Sequence, residues 1–201
     1  MKVTILDVFG SDRQVADAAR TTIKMEDGHK LVTDAYMRKM YLCEHSPIRI
    51  KQFLILVEDI PYWIVMHFTR HKFGIEHWVS SQRDDRTGVP RENLSQDALV
   101  NWKFLVNAAE VVAISRKRRC TQAHKDTRNA WSAILAKLEE VDWALVQACV
   151  PDCIYRGWCY EYKSCNYHKT EHYTETLDKY REEVNGWDSQ AQQLGMFTET
   201  K

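Results

Sequence analysis

Four prolines and seven glycines in 201 residues leave little material for flexible linkers, and no low-complexity tract is present. No charge of either sign predominates: 28 Lys and Arg stand against 28 Asp and Glu. A balanced chain lacks the global field that draws a protein onto nucleic acid or a membrane surface, so any anion site has to be local. No apolar run is long enough to cross a bilayer, and the apolar run near Met1 is too short for a signal peptide. A cytoplasmic protein without a membrane or nucleic-acid partner is expected. In that setting the six cysteines read as thiols or metal ligands before disulfides. No internal repeat occurs, and the length suits one domain with a sizeable core and room for an appendage.

What the chain does have is concentrated between Thr69 and Gly88, in T-R-H-K-F-G-I-E-H-W-V-S-S-Q-R-D-D-R-T-G. Arg70, His71, Lys72, His77, Arg83 and Arg86 surround the adjacent Ser80 and Ser81. Such a density of donors suits phosphates and a polarisable carbonyl, because guanidinium groups bind both through two hydrogen bonds at once. A solvated basic loop is the plainer reading of any charge cluster. Two details weigh against it. The basic triplet follows an apolar helical run (Tyr62, Trp63, Ile64, Val65, Met66, Phe68), and the serines follow Phe73, Ile75, Trp78 and Val79 in a segment patterned as a half-buried strand.

Taken in order, Val3 to Val8 reads as a strand, and Ser11 or Asp12 as the cap of a helix through about Ile23. A second helix, about Lys30 to Cys43, ends at Glu44-His45-Ser46-Pro47, since a residue before proline is pushed out of the helical region. Ile50 to Glu58 alternates as a strand, and Asp59-Ile60-Pro61 turns into the helix that delivers Arg70. Asn93 to Cys120 reads as one long helix, with Asn107 and Arg118 eleven apart on one face. Its Arg116-Lys117-Arg118-Arg119 run also reads as a nucleic-acid patch. Further on, Cys153, Cys159, Cys165 and His168 or Cys149 could ligate zinc, although the spacing is not that of paired C-x2-C ribbons. Free thiols packed with Tyr155, Trp158, Tyr160 and Tyr167 are the competing reading. A polar helix from about Glu171 to Val184 and a fraying tail close the chain.

Arg70-His71-Lys72, seven residues and then Ser80 resembles the Arg-His-Arg-x7-Ser signature of flavin-dependent thymidylate synthases, with Lys72 for the second arginine. Asp17-Ala18-Ala19-Arg20-Thr21-Thr22 is similar to that family's Ala-Ala-Arg-x-Ser segment. His45, 25 residues before Arg70, stands where the family places a histidine near flavin and folate. The family's Asn-x-Arg-Ser, Leu-Arg and Ala-Gln-x-Glu-Ile-Arg motifs are similar to Asn107-Ala108-Ala109-Glu110, Lys117-Arg118 and Ala123-His124-Lys125-Asp126-Thr127-Arg128. Asn107, Arg118, Ala123 and Arg128 match, and Asp126 replaces Glu. There are departures. Ala109 replaces an arginine used on the cofactor, His67 replaces a glutamine near the nucleotide, and the usual helical insertion shrinks to Arg86–Arg91. The likeness runs from residue 1 to about 130.

The resemblance, to a short, divergent, phage-type member, implies an α+β fold with a small antiparallel or mixed sheet flanked by helices. Residues 1–145 would form the synthase-like domain and residues 146–201 a Cys-rich, helical extension. It implies FAD-dependent transfer of a one-carbon unit from methylenetetrahydrofolate to C5 of dUMP, giving dTMP, with NADPH recharging the flavin. Ser80 and Arg118 would be catalytic, and Arg70, His71, Lys72, His45 and Asn107 would bind cofactor. Arg118, Arg83, Ser80, Ser81 and His67 would bind substrate. Ser80 keeps the seven-residue spacing, whereas Ser81 keeps the Ser-x-Arg relation to Arg83. Neighbouring strand residues point to opposite faces, so one of the two reaches substrate, and Ser80 is favoured. The family's sites lie between subunits of a homotetramer. Three other readings stand beside this one: hydroxymethyl transfer to a pyrimidine nucleotide, a flavin- or nucleotide-binding protein without catalysis, and a nucleic-acid module using Arg116–Arg119 and a zinc-bound tail.

Overall fold

Period-two alternation builds a sheet from β1 (Lys2–Phe9), β2 (Gln52–Pro61), β3 (Ile75–Val79) and β4 (Leu99–Asn107). The structure, a computed structural model, describes residues 1–193. Every pairing in the sheet is antiparallel, in the order β1-β2-β4-β3. The two central strands present one buried face, with Phe53, Ile55 and Val57 of β2 opposite Val106, Phe104 and Trp102 of β4. Cross-strand aromatic and β-branched pairs of this kind are the stabilising unit of a sheet.

Helices cover that face. Those burying residues against it are α1 (Asp12–Thr22), α2 (Asp34–Leu42), α3 (Tyr62–Phe68), α5 (Ala108–Arg118), α6 (Lys125–Glu139) and α7 (Trp143–Ala148), whereas the short α4 (Asp84–Thr87), α8 (Asp152–Tyr155) and α9 (Glu171–Gln193) add no residue to that core among those described. Ser11 closes a capping box with Gln14 at the start of α1, which satisfies donors the first turn leaves unpaired. Phe68 of α3 stacks on Trp102 at 5.0 Å, Trp102 on Phe104 at 4.1 Å, and Trp131 of α6 tilts against Phe68 at 5.7 Å. This aromatic column joins helices to sheet, and the main core runs from Val15 to Cys149. Ile154, Tyr173 and Leu177 form a separate, smaller cluster.

One expectation is overturned. Asn93 to Cys120 is not a continuous helix, because β4 occupies Leu99–Asn107 and α5 begins at Ala108. Val100, Trp102, Phe104 and Val106 alternate as a strand, and Asn107 is the N-cap of α5, so it does not share a helix face with Arg118. The second helix starts at Asp34, capped by Thr33, and α9 continues to Gln193. The expected fraying tail beyond it lies outside the described residues.

The chain also buries a polar network. Lys51, 8% exposed, pairs with Asp12 at 2.6 Å and Asp142 at 2.7 Å, and the Tyr41 hydroxyl donates to Asp142 at 2.7 Å. Asp142 also caps α7. Two carboxylates, from the start of α1 and the cap of α7, therefore meet on one ammonium group, and Tyr41 of α2 joins through Asp142. Replacing Lys51 with Met would leave the Asp142 carboxylate buried without its counter-charge, a change that typically costs about 3–5 kcal/mol. Denaturant unfolding should show a loss of that order, and a loss below about 1 kcal/mol would mean that the pair acts as a surface ion pair.

Candidate active site

Helix α3 starts where β2 ends and stops at Thr69, whose amide bonds Val65 O. The chain then tightens, His71 N donating to Phe68 O at 2.9 Å, and exposes Arg70 and Lys72 on either side of His71. Gly74, at φ +76°, turns it back into β3; a Cβ there would lie 2.3 Å from Asn107 Nδ2. Asn107 donates its amide to Gly74 O at 2.8 Å and accepts Glu110 N–H on its side chain at 2.9 Å. One residue thus pins the start of β3 and the start of α5. The resemblance implies a cofactor role for Asn107, and here its Oδ1 caps α5.

The last turn of α5 reaches back to the basic triplet. Arg118 Nε donates to His71 Nε2 at 3.2 Å, and Arg118 Nη2 donates to His67 O. On the other side of the ring, His71 Nδ1 stands 3.2 Å from Glu110 Oε1. Two residues from the first motif and two from the second, about forty apart in sequence, form one contiguous group. His77 supports it from below. Trp102 Nε1 can only donate, and does so to His77 Nδ1 at 3.1 Å, so His77 Nε2 carries the proton it gives to His71 O at 3.1 Å.

Burial, and secondarily the charge of Arg70, lowers the Arg118 pKa below its usual value. His67 is pushed down as well, by burial first and then by Arg118, Arg70 and His124. Its Nδ1 lies 2.7 Å from Thr127 Oγ1, and its ring meets Trp63 edge-on at 5.5 Å. Trp63 in turn meets His124 at 4.7 Å.

The serines lie elsewhere. Ser80, Ser81, Gln82, Arg83, Arg91, Tyr62, Met66 and Val79 line a cavity of about 250 Å³, to which neither His71 nor Arg118 contributes. Ser80 is committed to β4, its hydroxyl donating to Asn101 O at 3.1 Å and accepting Asn101 N–H at 2.9 Å. Ser81 accepts only the Arg83 amide, at 3.3 Å, which leaves its proton for a ligand. Arg83 makes an exposed pair with Asp85 at 2.9 Å, of a kind worth little and readily exchanged for an anion. His45 keeps a buried Nδ1 without a hydrogen-bond partner, and follows Glu44, which pairs with Arg116.

The basic run at the end of α5 makes contacts within the chain, with Lys117 and Arg119 remaining exposed. Arg116 pairs with Glu44 and packs over Tyr155, and Lys117 pairs with Glu161 and Asp152. Arg118 holds His71, and Arg119 donates to Cys149 O. Zinc ligation is not assembled either: among the described residues no three Cys, His, Asp or Glu groups are disposed to hold a metal. His168 Nδ1 bonds Ser164 Oγ at 3.1 Å and its ring packs on Trp158, while Cys149 is fully buried, its thiol pushed up to about 12 chiefly by that burial. Cys153, Cys159 and Cys165 are free thiols around a cavity of about 500 Å³.

This architecture has counterparts among solved structures. The flavin-dependent thymidylate synthase ThyX from Helicobacter pylori, complexed with FAD and dUMP, aligns at 12% identity and TM-score 0.60 over 75% of this chain and all of that one. The UMP/dUMP methylase PolB from Streptomyces cacaoi, bound with 5-Br dUMP, aligns at 15% identity and TM-score 0.56, over 73% of this chain and 93% of its own. The chain has the flavin-dependent thymidylate synthase fold. No model of a known family matches the sequence, and no curated protein does. Among the described residues no helix is long and apolar enough to cross a membrane.

Sequence reasoning missed Glu110, Thr127 and Trp102, whose partners lie 39, 60 and 25 residues away. The one available signal was the strand alternation that carries Trp102. The lowered His67 pKa sets a pH dependence. The unfolded ring takes a proton near its ordinary 6.5 while the folded ring resists it, so this stability is full above that pH and falls as pH drops below it. His67→Gln should flatten the melting temperature between about pH 7 and pH 5; an unchanged slope would assign it to other groups.

Proposed function

We propose that the chain is a flavin-dependent methyltransferase that converts dUMP to dTMP, taking the carbon from methylenetetrahydrofolate and using NADPH as reductant. The observation that carries the reading is the junction of Arg118 with His71, which unites both motif segments on a fold shared with proteins that bind FAD and dUMP. The residues fit a flavin dinucleotide. Arg70 and Lys72 are exposed cations without a carboxylate partner among the described residues, and they suit a pyrophosphate. His45 offers a buried nitrogen in need of a partner. When bound, reduced flavin supplies the hydride.

The chain's own groups hold the pyrimidine. Arg118 has Nε and one Nη2 proton committed, which leaves Nη1 for an acceptor. Fixed in that way, it offers preorganised positive charge to a ring carbonyl or phosphate as charge develops. Ser81, Arg83 and Arg91 line the second cavity and suit a phosphate there. Because Arg118 does not line this cavity, a site shared between copies of a homotetramer would accommodate both groups. Of residues 146–201, read as an extension, Val146, Ala148 and Cys149 still pack in the main core, and the separate cluster of Ile154, Tyr173 and Leu177 supports an extension beyond them. The engagement of Arg116 with Glu44 and of Arg118 with His71 weighs against the nucleic-acid reading for those two residues.

With dUMP, methylenetetrahydrofolate, NADPH and FAD, the purified protein should bind flavin and form dTMP. Arg118→Ala should lower the rate by about two to three orders of magnitude. Ser81→Ala should cost more activity than Ser80→Ala, whose loss should appear in stability; the reverse ranking would restore Ser80 as the ligand residue. Mixing Arg118→Ala with Ser81→Ala subunits should recover part of the activity through hybrid sites. A product heavier by a hydroxymethyl group would redirect the reaction. No change in any deoxypyrimidine nucleotide, despite bound flavin, would leave a binding protein.

A further inference from the structure

We infer that Glu110 is a positioning residue of the Arg118 site, one that sets the tautomer of His71 and through it the direction of the Arg118 guanidinium. For its substrate consequence the inference rests on the reading of Arg118 as the nucleotide-binding group. The position is unexpected, since the resemblance has a serine where this chain carries Glu110.

The geometry leaves little freedom. Arg118 Nε is a donor and cannot accept, so the His71 Nε2 it meets at 3.2 Å must present a lone pair. The proton of the neutral ring is then on Nδ1, which faces Glu110 Oε1 at 3.2 Å. Both side chains are largely shielded, at 15% and 12% exposure, so water competes weakly for either nitrogen. With Nδ1 protonated, Nε2 accepts from Arg118 and holds the guanidinium against His67 O. With the proton on Nε2, two donors would face each other and Arg118 would have to swing away. Glu110 is the group that favours the first arrangement. The backbone is not involved in the choice, because Glu110 N–H is taken by the Asn107 cap whatever side chain follows.

The test reads the tautomer directly. In protein labelled with ¹⁵N-histidine, at about pH 8 where an ordinary histidine is neutral, His71 is assigned by its absence from His71→Asn. The wild type should show a protonated Nδ1 and an unprotonated Nε2. Glu110→Ala should shift the ring toward the Nε2–H form and weaken dUMP binding about tenfold, the loss of one charge-assisted contact. Glu110→Gln, which retains an oxygen acceptor, should keep the wild-type tautomer. Arg118→Ala should keep it too, because Glu110 remains. An unchanged His71 spectrum in Glu110→Ala would overturn the inference, as would loss of the Nδ1–H form in Arg118→Ala, since the tautomer would then be set by Arg118. Circular dichroism establishes that the variants fold, and Glu110→Gln with Arg118→Ala decides the point if Glu110→Ala does not. A wild type that does not bind dUMP would sink the nucleotide reading, while the ligand-free spectra still decide the role of Glu110.

Discussion

The indole N–H of Trp102 is buried completely and can only donate, so it must find an acceptor or cost the core a full unmade hydrogen bond. It finds His77 Nδ1, and every direction that follows is fixed by that choice. His77 must then donate from Nε2 to the His71 carbonyl, which fixes the backbone of the basic triplet. The ring of His71, so held, receives Arg118 on one nitrogen and faces Glu110 on the other. The same indole stacks between Phe68 and Phe104, so the residue that consolidates the core also aims the candidate site. Packing and chemistry are coupled at one side chain, and a hydrophobic replacement of Trp102 would disturb both.

Much of this was legible in the sequence, and the gaps have physical causes. Strands β1 and β2 declare themselves by alternation, and Ser11 by its cap. The basic triplet was placed correctly at the end of α3 because the apolar run before it has helical spacing. Strand β4 was hidden because no glycine or proline separates it from α5. Asn107 is at once the last strand residue, the cap of the helix and the partner of Gly74, so the change of period falls without a turn between Asn107 and Ala108. The serine ambiguity was also local in origin. Spacing counts residues along a strand, but Ser80 lies just past β3, where its hydroxyl completes the pairing with Asn101.

The divergence between fold and sequence has a related explanation. A sheet face of apolar residues covered by helices tolerates many sequences as long as period and volume are kept. At 12–15% identity the structural neighbours share the fold, with TM-scores of 0.56 and 0.60. Local polar constellations change more discretely. Ala109 removes a guanidinium that the resemblance would supply, and Glu110 beside it adds a carboxylate that the resemblance lacks. Of the two positions, Glu110 is the one that stands beside His71, while Ala109 packs against the core.

That placement bears on what the site is built to hold. Burial and the charge of Arg70 both work against the Arg118 cation, and the carboxylate of Glu110 faces His71 instead of the guanidinium. A protein that needed Arg118 only for structure would satisfy it more cheaply with a paired acid on its guanidinium, as it does for Arg116 with Glu44. Instead Glu110 stands on the far side of His71, two contacts removed, and the donors that α5 directs outward are left for another acceptor. On the proposed reading, an anion arriving there would gain from a guanidinium already held by His71 and the His67 carbonyl, and so needing no reorientation.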